Sequence, residues 1–288
     1  MKRTFAWSAL LMLMFCLVPW SLCAQDIDEN GVLKSWGNAP AKLEIPDNVV
    51  SIADNCFCYY VQDGWDESYY PNQDITSIYF NNTKIVGKQA FYQLPNLTTI
   101  VSASYVTELK EQALAECHAL GSVDFPALEV LGKQALADCQ GLQSIHFGKN
   151  LKTVGPKPFK NCPQLQTLTI DEANPDFMVK NGLLISKADG KVHGAVSLTE
   201  EFNVDEAQII GEYVFQNNLT VKKLILNNVT ELEDGAFCCC YKLVDLRIPK
   251  LSKVPYWAPS LFSSCTSLRI LDIHESENFD GYVRKYSC

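Results

Sequence analysis

Four leucines at near-even spacing constrain this chain more than any other feature. Leu97, Leu120, Leu142 and Leu165 are separated by steps of 23, 22 and 23 residues. Three residues after each stands an aliphatic side chain: Ile100, Val123, Ile145 and Leu168. Phe91, Leu114, Leu136 and Phe159 keep the same steps, and Cys117, Cys139 and Cys162 follow at 22 and 23. The pattern resumes towards the C-terminus, where Phe215, Phe237 and Phe262 step by 22 and 25, and Leu243 to Leu268 and Cys240 to Cys265 each span 25. A short apolar frame that recurs at fixed offsets is the mark of a repeat architecture.

One unit reads as a short strand, a second apolar pair and a compact turn or single helical turn. In Leu142-Gln-Ser-Ile145-His-Phe147 the second half alternates apolar and polar, as a strand with one buried face does. A turn at Gly148, Lys149 and Asn150 follows, then a second apolar pair, Leu151 and Val154. The unit closes on a turn or single helical turn carrying Phe159, Cys162 and Leu165. Such a unit is too small to bury its apolar face alone. Stacking makes a continuous core, with strands about 4.8 Å apart. Nine or ten units would give a slab about 45 Å long. The expected fold class is therefore an α/β solenoid, with a parallel sheet on one face and turns or short helices on the other. At 47% hydrophobic and 20% charged, the 288 residues can supply such a core.

The frame L-x-x-I-x-F…V-x-x-I/L-G-x-x-A-F-x-x-C-x-x-L resembles the BspA-like leucine-rich repeats of bacterial surface and secreted proteins. Ile85-Val86-Gly87-Lys88-Gln89-Ala90-Phe91 and Glu231-Leu232-Glu233-Asp234-Gly235-Ala236-Phe237 match closely. The segment from Ile170 through Asn174-Pro175 to Asn181-Gly182-Leu183-Leu184 resembles the hairpin-like insertion that interrupts such repeats. The resemblance covers about residues 40–275. It implies a right-handed leucine-rich-repeat superhelix and a role in adhesion or ligand binding, and it supplies no catalytic residues.

The organisation expected is a signal peptide at 1–24, an N-terminal cap at 25–40, repeats over 41–275, and a C-terminal tail or cap at 276–288. The repeats are interrupted by a loop at 59–74 and the hairpin insertion at 171–200. Lys2 and Arg3, the apolar run Ala9 to Val18, and the small-residue site Ser21-Leu22-Cys23-Ala24 make the export signal. Cys23 offers lipid anchoring as the alternative, although Leu22 is bulkier than such processing prefers. Residues beyond the signal hold no run of about 18 uncharged apolar residues that would span a membrane. Without Lys2 and Arg3 the formal charge moves from −9 to −11, which argues against nucleic acid as a partner.

Twelve cysteines would suggest a disulfide framework in an exported chain. Five of them, Cys117, Cys139, Cys162, Cys240 and Cys265, instead share one repeat position, which points to a column of buried thiols. Disulfides between rungs remain the alternative, because the spacing lies within bridging range. Cys56-Phe57-Cys58 and Cys238-Cys239-Cys240 lack the C-x-x-C pairs of a zinc site, so no metal or cofactor is expected. Catalysis has no foothold either. None of His118, His146, His193 and His274 sits in H-E-x-x-H, and no nucleophile elbow or phosphate loop is present. Ser144, His146 and Asp124 would lie near one another, but on an open sheet face with no oxyanion hole.

The expected binding surface has two parts. Outward strand positions, one per rung, form a row of Tyr79, Val101, Asp124, His146, Thr169, Asn203, Ile225, Arg247 and Asp272. The 59–74 loop adds Tyr59, Tyr60, Trp65, Tyr69 and Tyr70, residues that favour recognition by combining rigid area with a polar tip. The candidate ligand residues are those five with Tyr79, Asp124, His146, Thr169 and Arg247. The reading is a non-enzymatic binding or adhesion protein, secreted or on the cell surface or in the periplasm. Its ligand would be a protein or polysaccharide, host matrix included. An accessory component of glycan handling and a structural spacer of a cell-envelope assembly are the rival readings.

Overall fold

A rung of this chain has three sides, and hydrogen bonds to the next rung run along each. The computed structural model describes residues 25–63, 66–196, 198–255 and 260–273, with the backbone alone for 59–63 and 66–71. The expected signal peptide at 1–24, the tail at 276–288 and Trp65 lie outside the described residues.

The first side is the longer strand. Ser122–Phe125, Ser144–Phe147 and Thr167–Ile170 pair in parallel without slipping, so Val123, Ile145 and Leu168 form one inward column. The second side is a two-residue strand, such as Glu108–Leu109 or Val130–Leu131, which aligns Val86, Leu109, Leu131 and Val154. Alternation decides both: the inward residues are buried and their neighbours reach solvent.

The third side corrects the expected short helices, because no α-helix occurs among the described residues. Successive bends carry two residues in the left-handed region four positions apart: Gln112 and Glu116 at φ 55° and 59°, Gln134 and Asp138 at 53° and 59°. The amides of Gln112, Leu114 and Glu116 donate to the carbonyls of Lys133, Ala135 and Ala137 in the next rung. In a helix those amides would bond four residues back in their own rung. The spacing that suggested a helical turn here serves a third ladder between rungs.

The core is packed by columns. Phe57 stacks on Phe91 with centroids 4.8 Å apart, and Phe215 stacks on Phe237 at 5.1 Å, with Phe262 beyond at 5.8 Å. Rungs approach closely enough at Gly148 that a Cβ there would lie 1.9 Å from the Pro126 carbonyl oxygen, so only glycine fits.

The cysteine column also has a hydrogen-bonding role. The thiols of Cys117, Cys139 and Cys162 each donate to a carbonyl of the preceding rung, Phe91, Leu114 and Leu136, all at 3.2 Å. Cys240 and Cys265 do the same to Phe215 and Phe237 at 3.0 Å. Thiols are small and apolar enough for the core, yet can still donate a bond. The nine described cysteines are free thiols. Burial pushes the Cys139 thiol up to about 12, which holds it protonated. Cys139→Ala should therefore cost about 1–3 kcal/mol, from a lost bond and a small cavity. Urea denaturation of Cys139→Ala beside Cys139→Ser checks this, since serine keeps a donor and should recover part of the loss.

The solenoid is not one continuous stack. The strand-side ladder is a six-stranded sheet ending at Thr167–Ile170 and a separate four-stranded sheet beginning at Glu201–Asn203. Between them stands the expected insertion. Phe177–Lys180, Leu183–Ser186 and Lys191–Ala195 form an antiparallel meander, and the last strand joins Ile209–Ile210 in parallel. Asn174 directs the chain into it. Its side chain is buried, donates to the Gly148 and Leu151 carbonyls, and accepts from the amides of Asp176 and Phe177. The meander divides the core in two. Leu184 packs with the residues before it, whereas Leu183 and Ile185 pack with those after it. The 59–74 segment, expected as a loop, contains an antiparallel hairpin, Cys58–Asp63 against Asp66–Pro71.

Candidate functional site: two strand faces and the cleft between them

Parallel register sets the outward row. Glu44, Tyr79 and Val101 pair across neighbouring strands, as do Asp124, His146 and Thr169. In the second sheet Asn203, Ile225, Arg247 and Asp272 follow the same rule. The single row expected from the sequence is thus two rows, broken between Thr169 and Asn203, because the meander separates the two sheets. Tyr79, Asp124, His146 and Thr169 share the first sheet; Arg247 is on the second.

The first sheet's middle is rich in hydroxyls. Ser144 donates to the Ser122 hydroxyl at 2.9 Å, and His146 Nδ1 lies 2.9 Å from Thr169 Oγ1. On the second sheet, Arg247 Nε and one terminal nitrogen clasp the Asp245 carboxylate at 3.0 and 3.1 Å. The side-chain bond and charge of Asp245 raise the Arg247 guanidinium above its ordinary value. That pair holds the arginine head against its own strand, with Ile225 and Asp272 as its cross-strand neighbours. In the hairpin, Tyr59 stands opposite Tyr70 and Tyr60 opposite Tyr69. Four of the five aromatic candidates are therefore cross-strand partners, which the sequence reading placed on an irregular loop.

The feature that sequence reasoning missed is a cleft of about 480 Å³ at the junction of the two blocks, on the turn side. One wall is the bend at 157–161 and the other the bend at 212–217, with His193 and Gly194 also in the lining. Lys157 bridges the walls, 3.2 Å from the Glu212 carboxylate and 4.0 Å from the Tyr213 ring centroid. Lys160 lies 5.7 Å from the same centroid. Gly194 packs so tightly on Phe159 that a Cβ would lie 2.2 Å from its ring. Burial, then the nearby Lys191 charge, hold the His193 imidazole down at about 4. It is neutral at physiological pH. One sequence signal marks the place: Asn218 occupies the repeat position that cysteine holds in neighbouring rungs.

Among the described residues no group of three or more metal-binding side chains comes together, and no helix is long and apolar enough to cross a membrane. Cys238 and Cys239 approach within 3.4 Å, sulfur to sulfur.

Registered short parallel strands, three backbone ladders and inward leucine, phenylalanine and thiol columns define a parallel β-solenoid of the leucine-rich-repeat class. The chain belongs to the BspA-type leucine-rich repeat family, which matches it in six copies over residues 66–178 and 195–283. A leucine-rich repeat protein from Eubacterium ventriosum is similar in structure, with a TM-score of 0.62 and 17% identity, over 88% of this chain and 71% of that one. A leucine-rich repeat protein from Bacteroides ovatus is more loosely similar, with a TM-score of 0.45 and 16% identity, over 87% and 81%. The pneumococcal vaccine antigen PcpA gives a TM-score of 0.47 and 18% identity, over 80% and 72%. No curated protein matches the chain.

Proposed function

We propose that this chain is an exported, non-enzymatic binding protein that presents its strand faces and the tyrosine hairpin to a protein or polysaccharide. The observation that carries this reading is the register. Strands that pair without slipping hold Tyr79, Asp124, His146 and Thr169 at fixed spacing on one open face. A pre-organised array of that kind loses little conformational freedom when it meets an extended ligand. The hairpin inserted ahead of Ser77–Tyr79 adds Tyr59, Tyr60, Tyr69 and Tyr70, with Trp65 at its centre in sequence. The signal-like N-terminus supports a secreted, periplasmic or surface location, and the acidic charge supports a partner other than nucleic acid.

The test is a glycan and host-matrix array probed with residues 25–288. A double variant, His146→Ala with Thr169→Ala, and a second, Trp65→Ala with Tyr69→Ala, should each lower capture about tenfold, as hot-spot losses do. The melting transition of the His146→Ala, Thr169→Ala variant should move little, because substitutions on an open strand face cost within about 0.5 kcal/mol. Capture unchanged in both variants rules the reading out.

A further inference from the structure

We propose that the junction cleft is a peptide-binding slot, shaped as one missing rung, which takes an extended acidic polypeptide segment by main-chain hydrogen bonding. It is a site separate from the strand faces.

Elsewhere on the turn side each rung bonds to the next in a fixed manner. The amides of Gln89, Phe91 and Gln93 donate to the carbonyls of Glu111, Ala113 and Ala115. Those of Gln134, Leu136 and Asp138 donate to Pro156, Pro158 and Lys160. The next donors in this series are the amides of Lys157, Phe159 and Asn161, and none makes such a bond among the described residues. On the facing wall the carbonyls of Glu212, Val214 and Gln216 occupy the acceptor positions, and among the described residues no backbone donor reaches them. That wall is otherwise a normal rung, since its Tyr213, Phe215 and Asn217 amides bond onward to Asp234, Ala236 and Cys238. The Gln216 Oε1 atom is also buried without a partner. One wall thus offers three donors at alternate residues, and the other offers three acceptors at the same spacing.

The gap continues round the rung. Thr167–Ile170 and Glu201–Asn203 are the end strands of their sheets. A second cavity of about 480 Å³ lies between them, lined by Thr167, Leu168, Thr199 and Phe202. Gln166 and Val196 line both cavities, so the two are adjacent. The insertion fills the second side only, where Lys191–Ala195 pairs with Ile209–Ile210.

A polypeptide is the occupant that fits this pattern. Its main chain carries N–H and C=O groups at alternate-residue spacing on both edges, as in strand addition to a sheet edge. A lone anion would serve only the donor wall. Lys157 is engaged by Glu212, whereas Lys160 has no ion-pair partner among the described residues. The positive amide wall and Lys160 together select an acidic side chain at that end.

The experiment pans a random linear decapeptide phage library on the intact chain, then follows hydrogen–deuterium exchange with the enriched peptide added. In the free protein, the amides of Phe159 and Asn161 should exchange far faster than those of Leu136 and Asp138. Peptide should slow exchange at Phe159 and Asn161, Lys160→Glu should weaken binding about tenfold, and N-methylating the peptide main chain should abolish it. The proposal is overturned if Phe159 and Asn161 are already protected, if no peptide is enriched, or if bound peptide protects other segments instead. An oligosaccharide panel that protects these amides where peptides do not would also overturn it. Because the readout sits at 157–161, failure here is distinguishable from failure of the strand-face reading.

Discussion

Phe237→Ala should unfold the C-terminal block well before the N-terminal one. Phe237 is 1% exposed and lies between the rings of Phe215 and Phe262. Removing a buried phenylalanine costs about 3–5 kcal/mol, from lost transfer energy and the cavity left behind. In a solenoid each rung contacts only its neighbours, so the loss stays local unless a continuous core transmits it. Here the core is divided by the meander, with Leu184 on one side and Leu183 and Ile185 on the other. Segment-resolved hydrogen exchange in rising urea should therefore show residues 201–273 losing protection first, while 85–154 keeps its original midpoint. Phe91→Ala, which removes the ring between Phe57 and Phe80, should give the mirror image. A single loss of equal size across both blocks would show one cooperative unit and remove the two-block description.

The second large effect is acid destabilisation through His193. Burial is the main cause that lowers this imidazole to about 4; the Lys191 charge adds to it, against a weaker pull upward from Asp189 and a hydrogen bond to the Val154 backbone. Above pH 6.5 the ring is neutral folded or unfolded, and it contributes no pH dependence. Between pH 6.5 and 4 the unfolded chain takes up a proton that the folded chain does not, so stability falls as pH falls. The slope is about 1.4 kcal/mol per pH unit, and the total is on the order of 3 kcal/mol. Carboxylates with lowered values act only further down. At Glu111, for example, burial pushes the carboxyl up, but Lys88 and Lys133 outweigh it and hold it low. Its stabilising contribution is lost below about pH 4.5. Urea midpoints measured from pH 7 to 4 should therefore drop in the wild-type chain and stay much flatter in His193→Gln. Parallel curves for the two proteins would exclude His193 as the cause.

The repeat was legible because stacking demands it. A residue at one place in a rung meets its own counterpart in the next, so Val123, Ile145 and Leu168 must all be aliphatic, and Cys117, Cys139 and Cys162 must all suit the same buried slot. The outward positions followed from the same alternation, and His146 does lie between Asp124 and Thr169. The turn side was left between turns and short helices because Phe159, Cys162 and Leu165 have a spacing that suits a helical turn as well as a bend. Only the destination of each amide separates the two, and for Leu114 that is Ala135, in another rung. The hairpin at 58–71 was hidden for a related reason, since cross-strand pairing of Tyr59 with Tyr70 is not a periodic property of either strand.

The chain's own residues thus determined the length of a rung, which side chains turn inward, and why thiols serve where a small apolar donor is needed. The tertiary structure alone decided where the stack breaks, that among the described residues the break leaves unmatched donors facing unmatched acceptors, and that His193 is buried beside it. The physical reason is range. Periodicity records contacts that every rung repeats, whereas a gap between Phe159 and Val214 is a contact that happens once, between segments more than fifty residues apart.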